Sequence, residues 1–322
     1  MRRTPARVYL APEAEEDRYL PEGPRWMTVA GRPALAWVNI ALGADDPEGE
    51  LHVHFPDSDG SEDGQRACPG RPGFLLPIRG GNKALVGVEK DVRICDLAEG
   101  LWSDPLATIP DDNERTIIND AEIVPGGRAV VFGTKDTRFA DPIAALYLYT
   151  AVDDAVTHLA GGQLCSNGKV FATDDRGIVL FDIDTPTRKV VRYRLNLEAR
   201  SITPDGVALD LSGEVGFPDG MCDCGDDTVI VAFYNPEFAE AGRAVRYDLR
   251  TGAAVEEWLT PGSPRVTCPL LVTRPSGVKL ILTTAVEGMP AEMRAKCPNA
   301  GCLFVADTQF AQCPPHAELE LE

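Results

Sequence analysis

Four polar signals, Glu22-Gly23-Pro24, Asn119-Asp120, Asn167-Gly168 and Pro218-Asp219-Gly220, each stand 9 to 12 residues ahead of an apolar β-type run. Between them they offer two carboxylates and two side-chain amides. Brought to one point, Glu22, Asn119, Asn167 and Asp219 would form a shell of hard oxygen donors suited to a divalent cation, with room left for water and a substrate. Taken singly, each signal reads as a turn. Their common phase sets them apart, because equivalent positions of a closed repeat face a common axis.

The runs that would position them lie at 34–40, 83–89, 128–134, 177–183, 228–234 and 279–285, with starts separated by 49, 45, 49, 51 and 51 residues. A second run follows each, at 50–55, 92–97, 145–150, 189–195, 244–249 and 302–307, and third runs occur at 155–160 and 254–259. No amphipathic helix long enough for a parallel crossover separates the units, which excludes an α/β sheet. Counting the segment that carries each polar signal gives four strands per unit. The pattern predicts an all-β chain, a six-bladed β-propeller with four-stranded antiparallel blades, spanning 1–322 as one domain. An open ring would leave pairing edges, so the N-terminal run 7–11 is expected to complete the last blade. The stretches 45–73 and 287–300, rich in acidic residues and Gly or in Pro and Lys, read as surface insertions.

Composition narrows the partners. Fifty acidic against 31 basic residues give a net charge of −19, which repels phosphate backbones and anionic membranes, so neither nucleic acid nor membrane is expected. No stretch approaches 18 apolar residues, and the N-terminus has no apolar signal core. Nine cysteines, an odd number without dense spacing, point to reduced thiols and a cytoplasmic location. The terminal Leu319-Glu-Leu-Glu322 carries no motif and is left aside. His52 and His54 share one face of a strand, a pattern open to metal but more often a packed position. Cys222-Asp223-Cys224 likewise reads as buried small residues, and Asp57 through Gly64 lacks the glycine and distal glutamate of a calcium loop. Neither a Gly-x-Ser-x-Gly elbow, a His-Glu-x-x-His motif nor a phosphate-binding glycine loop is present.

The ordered motifs resemble those of the SMP-30/gluconolactonase/regucalcin-like family. Leu20-Pro-Glu-Gly-Pro-Arg-Trp26 is similar to its opening motif. Asn119-Asp120 with Phe132-Gly133-Thr134, Asn167-Gly168-Lys169 and Phe217-Pro218-Asp219-Gly220-Met221 are similar to the next three, and Arg265 through Pro269 with Ala300 through Phe304 resembles its last blade. The resemblance implies a metal-dependent propeller that hydrolyses sugar or related small lactones. It implies Glu22, Asn167 and Asp219 as ligands of one divalent ion (Ca, Zn, Mg, Mn or Fe), Asn119 beside water or substrate, and Asp219 as the acid/base residue, with Asp120 or a water as another proton route. Hydrolysis of organophosphate-type esters and metal binding without turnover are the alternatives. Two positions depart from the pattern. Ile117 stands where an Arg is common, though strand alternation would let Arg115 share a face with Asn119, and Asn39 stands where an Asp is usual.

Overall fold

The computed structural model describes residues 1–321. The six apolar runs become the second strands of six sheets: Arg32–Asn39, Lys83–Val88, Ala129–Asp136, Gly177–Asp184, Thr228–Tyr234 and Gly277–Thr284. They are continuously apolar because each is covered on both faces. Thr228–Tyr234, with sequence TVIVAFY, is buried at every position but the last. Leu35 and Trp37 of the first blade pack on Ile281 and Val305 of the sixth, so the ring closes through a shared core. Fully burying one such side chain contributes about 1.5–3 kcal/mol.

The innermost strands are Pro21–Val29, Pro72–Pro77, Thr116–Ile123, Ser166–Asp174, Phe217–Asp223 and Val266–Arg274, each antiparallel to its second strand. Arg7–Leu10 pairs antiparallel with Leu303–Asp307 and completes the sixth blade, as the sequence suggests. Arg2–Pro5 goes further. It adds a parallel strand to Ala254–Pro261 of the fifth blade, so the N-terminus staples the last two blades together.

Two expectations need correction. The stretch 45–73 is not an insertion, because Glu50–His54 and Gly64–Ala67 are the outer strands of the first blade. Its polar character is that of an edge strand and its connecting turn. The set-aside terminus is also structural. Leu319 is fully buried between the second and third blades, with its N–H on the Pro77 carbonyl at 2.8 Å, and Glu320 N–H reaches the Gly127 carbonyl at 2.6 Å. No helix among the described residues is long and apolar enough to cross a membrane.

Every innermost strand breaks register with its neighbour near the axis: between Glu22 and Arg25, Pro72 and Phe74, Ile118 and Ala121, Asn167 and Lys169, Pro218 and Met221, and Val266 and Pro269. The polar signals are therefore bulges inside strands rather than turns between them. A bulge inserts an unpaired residue and re-aims its side chain, here toward the channel. Close packing of the strands depends on glycine: a Cβ on Gly168 would lie 2.7 Å from the Asp219 carbonyl oxygen.

Candidate active site

The first residues of the innermost strands surround a cavity of about 640 Å³ at one end of the channel. Glu22, Asn119, Asn167 and Asp219 all line it, so residues from the first, third, fourth and fifth blades share one wall. Glu22 follows Leu20, whose N–H donates to the Asn39 side-chain oxygen at 2.8 Å. Buried Asn39 thus fixes the chain entering the first bulge. Gly23, at φ +52°, turns the backbone there and donates its N–H to Glu22 Oε2 at 2.9 Å.

The amides are held in sequence across three blades. Asn119 Nδ2 donates to Asn167 Oδ1 at 2.8 Å and to the Ser166 carbonyl at 2.9 Å. Asn167 Nδ2 donates to Thr185 Oγ1 at 2.9 Å, and that hydroxyl donates to the Pro218 carbonyl beside Asp219, also at 2.9 Å. Beneath them Lys169 Nζ, fully buried, donates to the Asn167 carbonyl and Ser166 Oγ at 2.9 Å and pairs with Asp182 at 3.2 Å. Each amide group is held by hydrogen bonds from its nitrogen, and Asn167 Oδ1 accepts one in addition.

The electrostatics are those of an uncompensated anionic site. Burial, then the charge of Asp120, pushes Glu22 up to about 8. Burial, then the charges of Glu22 and Asp120, raises Asp219 well above the carboxylate range. Lys135 is the cation that opposes both. Two carboxylates that repel one another and an amide oxygen, lining one cavity, match a divalent cation in both charge and donor hardness.

Asp120 lies on the other side of the bulge. It lines a second cavity of about 380 Å³, formed by the later residues of the innermost strands together with Arg25, Glu122, Cys222 and the C-terminal segment around His316. It does not line the first cavity, although its charge acts on both Glu22 and Asp219. Arg115 is also elsewhere. It donates to Asp136 at 2.5 Å and Asp141 at 2.8 Å, away from the cavity, while Ile117 is buried. Opposite Ile117 in the sheet stands Lys135, which does line the cavity and supplies a cationic group the sequence reading missed.

The rim was missed as well. Tyr234 Oη donates to the Glu287 carbonyl at 2.9 Å, Arg265 donates to the same carbonyl and to Pro236 O at 3.0 Å, and its guanidinium lies over the Tyr234 ring at 5.3 Å. A lysine directly after the apolar run 128–134 is the one signal that marks Lys135 in the sequence. His54 takes a structural role, bonded to Asp63 and Tyr9 at 2.6 and 3.1 Å.

A family model described as SMP-30/Gluconolactonase/LRE-like region matches residues 20–286. Regucalcin of Danio rerio is 29% identical over 217 residues, 66% of this chain and 70% of its own. A putative sugar lactone lactonase of Bacillus subtilis is 27% identical over 311 residues, 94% of this chain and 96% of its own. Among solved structures, a calcium-binding protein, regucalcin, from Agrobacterium tumefaciens superposes with a TM-score of 0.78 at 21% identity, covering 99% of this chain and all of that one.

Proposed function

The chain belongs to the SMP-30/gluconolactonase/LRE-like family, and on that premise we propose that it hydrolyses a small lactone with the help of one divalent metal ion at the cavity that Glu22 and Asp219 share. The carrying observation is the pair of mutually repelling carboxylates, half-buried Glu22 and buried Asp219, set beside an amide oxygen whose own partners hold it in place. Glu22, Asn167 and Asp219 would hold the ion. When bound, it supplies polarisation of the ester carbonyl and acidification of the attacking water.

The remaining steps belong to this chain's side chains. Asp219 accepts the proton of the attacking water on a carboxylate oxygen and returns it to the ring oxygen as the ester bond opens. Asn119 orients Asn167 and presents its own oxygen to water or substrate. Lys135 takes the place of the guanidinium that Ile117 cannot supply and donates to a hydroxyl or carboxylate of the substrate. Tyr19, Phe217 and Tyr234 give the wall apolar area that covers the ring and limits water. A lactone bearing a polar or anionic group opposite its carbonyl fits this division.

The same wall would serve metal binding without turnover, a reading supported by relatives named regucalcin. Asp219→Asn separates the two. In the enzyme it lowers lactone hydrolysis by roughly 10²–10⁴-fold without lowering the unfolding temperature of the stripped protein; if the wild-type protein takes up metal yet opens none of a panel of sugar and aliphatic lactones, the enzyme reading fails. A phosphotriester in the same panel tests the organophosphate alternative.

A further inference from the structure

A second constellation lies on the first blade, outside the cavity. Asp17 comes from the one-turn 3-10 helix Glu16–Arg18, and Glu50 and His52 come from the strand Glu50–His54, two residues apart and so on one face. One oxygen of each carboxylate and one ring nitrogen all lie within 4.8 Å of one another. None of the three lines the cavity of Glu22 and Asp219.

His52 is the informative member. It is only 5% exposed, and its Nε2 has no hydrogen-bond partner. That nitrogen faces Glu50 Oε2 at 3.6 Å, too far for a hydrogen bond. The ring is locked in place by stacking on Trp37, its cross-strand partner, at 5.0 Å and 13°. A buried polar atom held rigidly without a partner is costly and asks for an occupant.

The carboxylates are prepared in the same way. Gln65 Nε2 donates to Asp17 Oδ1 at 2.8 Å, which orients the group, and Asn39 Nδ2 donates to the Glu16 carbonyl at 2.7 Å, which fixes the turn bearing it. Among the described residues no Lys or Arg makes an ion pair with Asp17 or Glu50, so the negative charge is unanswered. Burial raises both carboxylates, with Glu16 adding to each and Asp17 adding to Glu50, while burial alone lowers His52 to about 4, which keeps the imidazole neutral at physiological pH.

We propose that Asp17, Glu50 and His52 bind a second divalent ion of the zinc class, with imidazole nitrogen and two carboxylate oxygens as protein ligands and water completing the shell. The mixed nitrogen and oxygen donor set separates this site from the all-oxygen wall, since imidazole favours zinc and its transition-metal neighbours over calcium and magnesium. Such an ion ties the turn before Glu22 to the third strand of the same blade. Its role is to brace the segment from which the Glu22 bulge departs.

Zinc titration of the full-length, chelator-stripped protein, read as bound equivalents against a chromophoric chelator, tests this without any activity measurement. Glu22→Gln, which disables the other site, is expected to retain one zinc equivalent and the accompanying rise in unfolding temperature. His52→Gln is expected to lose that equivalent, and so is Glu50→Gln, a partly exposed isosteric change that guards against misfolding of the histidine variant. Combining Glu22→Gln with either leaves no zinc bound. Absence of zinc binding in Glu22→Gln, or retention of its equivalent in the double variant with Glu50→Gln, overturns the proposal.

Discussion

Removing the charge of Glu22 should stabilise the metal-free protein while destroying its response to calcium. The folded-state pKa of Glu22, about 8, stands above the unfolded value of 4.5. Between those values the folded chain holds a proton that the unfolded chain releases, so this group's contribution is fully present below pH 4.5 and is lost as pH rises toward 8. The slope is about 1.4 kcal/mol per pH unit, and the loss by pH 8.5 reaches roughly 5 kcal/mol, shared with the Asp219 charge that faces it. Glu22→Gln keeps an oxygen for the Gly23 N–H and removes the charge, so a gain of about 2 kcal/mol is expected at pH 8.5. With an unfolding entropy of about 2.1 cal/mol/K per residue, that corresponds to roughly 3 °C for a chain of this length. Differential scanning fluorimetry of stripped wild type and variant, at pH 5.5 and 8.5, with and without calcium, reads both effects. A variant that melts below wild type at pH 8.5 without metal, or that still gains stability with calcium as wild type does, would refute the reasoning.

Other consequences follow from single contacts. Lys135→Met should raise KM for a hydroxylated or anionic lactone roughly tenfold, the cost of one charge-assisted hydrogen bond, while tightening metal binding by removing a competing cation; unchanged KM with unchanged metal affinity excludes the assigned role. Gly168→Ala places a methyl group 2.7 Å from the Asp219 carbonyl and Met221 Cβ, and should cost about 1–3 kcal/mol in denaturant unfolding and weaken metal binding by displacing the fifth blade's inner strand. Gly213→Ala, which meets nothing within 4 Å, is the control and should change stability by under about 0.5 kcal/mol. Asp136, fully buried, pairs with Arg115 and accepts the N–H groups of Arg138, Ala140 and Asp141 at 2.9 to 3.1 Å, so its carboxyl is held well below the usual range. Its contribution is present above 3.8 and is lost as pH falls further. Asp136→Asn should therefore destabilise by about 1–3 kcal/mol at pH 7, with the gap to wild type closing in acid; a constant gap down to pH 2 contradicts the ion-pair account.

The second strands were legible because a strand covered on both faces needs uninterrupted apolar residues, and 228–234 supplies them. Outer strands were legible only in part: the runs 7–11, 155–160 and 254–259 were, but Gly64-Gln-Arg-Ala67 has nothing to bury on its outer side, and Arg2–Pro5 is recruited by a neighbouring blade that local sequence does not reveal. Glu22, Asn119, Asn167 and Asp219 could be gathered from sequence because they occupy one phase of the repeat. Their bulges looked like turns, since both use Gly and Pro and Asn with a local break in alternation. The alternation argument for Arg115 failed because the innermost strand begins at Thr116, and Arg115 sits in the preceding turn. Lys135, Tyr234 and Glu287 come from strand ends and a loop, whose distance from the axis is set by how the blades pack.

The central claim is tested most directly by pH-stat hydrolysis of a lactone panel with stripped protein reloaded with one divalent metal at a time, wild type beside Glu22→Gln. The account predicts that wild-type turnover vanishes on stripping and returns with metal, and that Glu22→Gln stays inactive with every metal. Full turnover by stripped protein, or restoration of the variant by the metal that restores wild type, would contradict it.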